Sequence, residues 1–229
     1  MTLSNERYVM LMASLPHINL LSEKEPPINR TRLLERLKML EPEDREELDR
    51  LTSILSWSQI DTGNDDAAFV ARAENIISAV RSSVLKTVAR DRLEIRTLMS
   101  ALRRRHAGEE ASAMGPSWGY GRYVDQIRKN WNLPDFGLGR SFTWLPAAKE
   151  KLESGDSAGL ERILLDASWN AGARQEAGHE FDLEAVALYL IRWSIAERWS
   201  RYDADAATAR FAELLTAALP QTPGLTVAP

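Results

Sequence analysis

From Asp66 to Gly108, apolar side chains recur at helical spacing for about 40 residues. They form two successive stripes: Phe69, Ala73, Ile76, Ile77 and Val80, then Val84, Val88, Ile95, Leu98 and Leu102. A strand cannot use such a pattern, because its side chains change face at every residue. One helix of that length is unusual in a globular chain, so the spacing predicts a break near Ser82-Ser83.

The same period extends to both sides. Leu33, Leu34, Leu37 and Leu40 make a stripe with Asn29 or Thr31 as its cap, and Pro42 opens a helix whose inward face is Leu48, Leu51, Ile54 and Leu55. The acids and arginines between them read as its solvated side. Asp61 to Asp66 reads as a turn whose last carboxylate caps the helix that follows. Pro146 starts a further helix, Asp156 caps one through Asn170, Asp182 caps one carrying Val186, Tyr189, Leu190 and Trp193, and a last helix runs through Phe211, Leu214, Leu215 and Ala218. Arg7 to Leu15 is apolar nearly all round and ends at Pro16; it reads as helix, with a short strand as the alternative. The expected fold is all-α and two-lobed, with roughly eight to ten helices. The lobes are expected at 1–107 and 122–219, joined by a Gly-, Ala- and Ser-rich linker at 108–121 and followed by a disordered tail at 220–229.

Composition removes several classes of function. The chain has no cysteine, so disulfides, thiolate metal sites and cysteine nucleophiles are excluded. A net charge of -4 gives no global field that would draw the protein to nucleic acid or an anionic membrane. No apolar run approaches the roughly 20 residues that span a bilayer, and Met1 to Leu21 lacks a signal-peptide pattern, so a cytoplasmic location is expected. Six of the seven tryptophans lie between Trp118 and Trp199. Those in the irregular stretch Asn132 to Pro146 and around it imply packing against the chain's own helices or a partner.

No catalytic constellation assembles. Glu176 and His179 have the Glu-x-x-His spacing of helical di-iron sites, yet no second copy accompanies them, and Gly178 makes the segment a loop. Asp65-Asp66 fits a capped turn better than a magnesium pair, and Gly137-x-Gly139 lies in an aromatic loop rather than after a strand. No metal or cofactor is therefore expected, and the chain reads as a binding protein rather than an enzyme. The basic run Lys86, Arg90, Arg92, Arg96 and Arg103 to Arg105 is opposed within it by Asp91 and Glu94. Arg92, Arg96 and Arg103 fall within about 40° on a helix and would make a positive ridge. Such a ridge is either a solvated face paired with the acidic helix at Glu41 to Asp49 or a docking surface for an acidic protein. Nucleic acid is the weakest reading, because the interleaved aromatics of a stacking platform are missing. Arg192, Trp193, Arg198, Trp199, Arg201 and Tyr202 alternate cation and aromatic, and read as intramolecular cation-π packing before an exposed interface.

Two segments carry a resemblance. Tyr8-Val-Met-Leu-Met-Ala-Ser-Leu-Pro16, followed by Leu20-Leu21, resembles the start of a bacterial family that accompanies V-type ATPases. Asp91 to Gly108, with its basic helix end before glycine, is similar to a segment of the C (or d) subunit of V/A-type ATPases, although Glu94 stands where that family has asparagine. Phe181 to Leu215 is similar in placement to the helices that close such subunits. The resemblance implies an all-helical, non-catalytic component of a rotary ATPase, between the central stalk and the membrane rotor ring. Its membrane association would be peripheral, at the inner face and through those partners. A free-standing helical adaptor or regulator is the alternative.

Overall fold

The computed structural model describes residues 7–19, 25–55, 66–111, 115 and 118–218, with 203–218 as backbone alone. The tail at 220–229 and most of the turn at 61–66 lie outside the described residues, as does part of the linker. Among the described residues the fold is all-α, with nine helices and no strand. In chain order these are α1 (Val9–Ser14), α2 (Arg30–Leu37), α3 (Pro42–Leu55), α4 (Asp66–Ala79), α5 (Ser83–His106), α6 (Val124–Lys129), α7 (Leu145–Glu153), α8 (Ser157–Ala173) and α9 (Leu183–Ala218).

Side-chain caps set four of the nine helix starts among the described residues. The side chains of Asn29, Ser82, Asp156 and Asp182 accept from the amides of Arg32, Leu85, Gly159 and Ala185 at 2.8 to 3.2 Å. Each satisfies a donor that the helix cannot, which contributes about 1 kcal/mol. Ser82 marks the expected break, where α4 ends and α5 begins. At the other end of the chain the expectation of two helices fails: Leu183 to Ala218 is a single helix of 36 residues. The stretch between the two apolar patterns, Asp203 to Arg210, consists largely of alanine and other residues that helices tolerate, so nothing in it interrupts the backbone hydrogen bonding.

α5 runs through the middle of the molecule and serves two apolar clusters. Leu85, Ala89 and Leu93 face Leu48, Leu51, Ile54, Ile77 and Val186. Further along, Ile95, Leu98, Met99 and Leu102 face Ile127, Phe136, Leu138, Leu145 and Leu164. The aromatic stretch after α6 therefore packs on the chain's own helices: Phe136 is fully buried, at a positive φ of 53°. A smaller cluster joins Ile18, Ile28, Leu33 and Trp193.

The polar side of α3 is not all solvated. Asp44 and Glu47 are buried, each 2% exposed, because they face the junction between α4 and α5. There Arg81 donates to Asp44 at 2.6 Å and to Glu47 at 2.6 Å, and Asp44 also accepts from the Tyr8 hydroxyl at 2.5 Å and from Arg7 at 3.0 Å. Buried carboxylates persist only when paired in this way. Tyr8 thereby ties α1 to α3, and its amide donates to the Phe181 carbonyl just before α9.

Burial and the neighbouring Asp44 carboxylate raise the Tyr8 phenol from its ordinary 10 to about 12. A folded-state pKa above the unfolded value means that the neutral phenol stabilises the fold fully below pH 10. That contribution is lost as the pH climbs from 10 towards 12. Burial raises the Tyr189 phenol to about 12 as well, so ultraviolet titration of the tyrosinate band should show two ionisations delayed until the chain unfolds. Tyr8→Phe should remove one of the two delayed ionisations and leave that of Tyr189, and an undiminished delayed amplitude in the variant would refute the assignment.

Candidate functional site

A cleft of about 780 Å³ opens between α2, α3 and the middle of α9. It arises because α2 is short and is held at a distance from α3. The Trp193 indole donates to the Ile28 carbonyl at 2.7 Å, and Arg30 makes a two-pronged pair with Glu197 at 2.7 and 3.2 Å. Arg30 also lies over the Trp193 ring, 5.4 Å from its centre. At the far end of α2, Arg45 of α3 donates to the Leu37 carbonyl at 3.1 Å. These contacts fasten α2 at its two ends and leave Leu34 56% exposed, while Leu37 is half-buried against the core. The expected inward stripe of α2 is thus split, because Leu33 alone of its first two leucines reaches the core.

The walls are apolar and the polar groups among them are mainly cationic. Leu37, Leu48, Leu55, Leu190 and Trp193 supply much of the apolar surface. Six cationic side chains line the cleft, Arg30, Lys38, Arg45, Arg92, Arg198 and Arg201, against the two acids Asp49 and Glu197. Glu197 is shared between Arg30 and Arg201, and Arg198 pairs with the buried Glu161 of α8. Lys38 at the rim pairs with Glu35 at 2.7 Å, so most of the lining cations already face a carboxylate.

Arg92 is the deepest of these cations, 8% exposed, and it projects from α5 into the floor. Its Nε donates to the carbonyl of Leu55, the last residue of α3, at 3.3 Å. A cation is favourable there, since the final carbonyls of a helix carry its partial negative charge. Burial, with the nearby Arg198, pushes the Arg92 guanidinium down to about 10. It still carries its charge at neutral pH.

The other two members of the expected ridge lie elsewhere. Arg96 is half-buried with its guanidinium 3.8 Å from the centre of the Phe69 ring, and burial lowers its pKa. Arg103 is exposed near the end of α5. The three therefore do not share an exposed face, because neighbouring helices cover α5 where Arg92 and Arg96 stand and leave it open at Arg103. The acids expected to pair with such a ridge are engaged instead by Arg7 and Arg81, as at Asp44 and Glu47. Within the same run, Glu94 is buried and receives two side-chain bonds from Arg122.

The remaining motifs resolve into local structure. Glu176 pairs with Arg192 of α9, whose guanidinium lies 4.6 Å from the centre of the Trp169 ring. His179 Nδ1 lies 2.6 Å from Asp182, whose second oxygen caps α9. His179, Asp182 and Glu184 thus meet at a helix start, and Glu176 is turned to a different partner. Asp66 is paired with Arg104, while Asp65 lies outside the described residues. The amides of Gly137 and Gly139 both donate to the Asp135 carboxylate, at 2.9 and 3.0 Å, so that side chain fills the turn. Trp199 and Tyr202 stack at 6.4 Å on the stretch of α9 that borders the cleft. Among the described residues, no helix is long and apolar enough to cross a membrane.

A family model described as "Protein of unknown function (DUF2764)" matches residues 66–219, more than half of the chain. No curated protein and no solved structure matches the chain.

Proposed function

The chain belongs to the DUF2764 family, and we propose that it is a non-catalytic component of a V-type ATPase, akin to the C (or d) subunit, coupling or assembling the central stalk and the membrane rotor. The observation that carries the protein-binding part is the open cleft between α2, α3 and α9, with apolar walls and a cationic lining. An apolar surface left open beside fixed charges suits recognition of another protein, where the apolar contact gives affinity and the charges give register. The choice of a rotary ATPase rests on the resemblance of Tyr8 to Pro16 and of Asp91 to Gly108. In this reading the protein is cytoplasmic and meets the inner face of the membrane through its partners.

The test is affinity purification of the tagged full-length chain from detergent-solubilised membranes of its own host. Central-stalk and rotor-ring subunits should be recovered in near-stoichiometric amount. Recovery of an unrelated, reproducible set of proteins would replace this reading with that of a free-standing adaptor, which the same cleft would serve.

A further inference from the structure

We draw no further inference here: the strongest candidate, the apolar cleft between α2, α3 and the middle of α9, carries nothing, because most of its lining cations already face carboxylates of the chain itself and nothing in the structure shows what covers it.

Discussion

Replacing Phe136 by alanine should lower the free energy of unfolding by about 4 kcal/mol, the scale for removing a fully buried aromatic ring from a packed core. In a chain of this size that is a fall in melting temperature of roughly 8–16 °C. The ring is enclosed: Trp131 lies 5.5 Å away between centres, and the Arg105 guanidinium is 4.3 Å from the ring centre. The same guanidinium donates to the carbonyls of Trp131, Leu133 and Pro134, so it holds the loop around the ring. Phe136 adopts a positive φ, which costs a non-glycine residue about 1 to 2 kcal/mol. Burial of the ring contributes more than that, and packing decides the conformation. Phe136→Gly relieves the backbone and should still be destabilised by more than about 2 kcal/mol. Thermal or urea unfolding measures both variants. A glycine variant as stable as wild type would mean that strain, and not packing, governs this position.

Asp44→Ala is expected to cost about 3 kcal/mol for a different reason. It removes no large apolar volume. It takes away the common acceptor of Tyr8, Arg7 and Arg81, and the Tyr8 hydroxyl keeps only the bond it accepts from the Glu41 amide at 3.4 Å, its own proton left without an acceptor. Combining it with Tyr8→Phe should cost less than the sum of the single changes, because the orphaned hydroxyl is then absent. Strict additivity in that cycle, measured by chemical denaturation, would show that the bond does not couple the two residues.

The contrast between these residues and the caps explains what the amino-acid pattern could reveal. A cap acts on amides two or three residues away, so Asn29, Asp156 and Asp182 are legible from their immediate neighbours, and so are Pro42 and Pro146 at helix starts. The burial of Asp44 is not legible, since its partner Arg81 comes from the far side of α4 and acids on a periodic helix normally face water. Arg92 is hidden by the same logic. Spacing alone aligns it with Arg96 and Arg103, whereas its surroundings are set by α3 and α9. The cleft had faint signals in Leu34 beside Leu33 and in the cations along α9, but its walls come from segments more than 130 residues apart, and periodicity carries no information on which faces meet.

The central position of α5 fixes its length as firmly as its composition. Leu93 belongs to one apolar cluster and Ile95 to the other, and two residues on a helix point about 200° apart. One inserted or deleted residue between them would turn everything that follows by about 100°, carrying Leu98 and Leu102 out of contact with α6, α7 and α8 while Leu85 and Ala89 stayed in place. A helix facing a single core can slide or rotate to absorb such an error. Between Ser83 and His106 there is no direction in which to slide, so among related chains the variation in length should collect in the connections and leave this segment at a constant 24 residues.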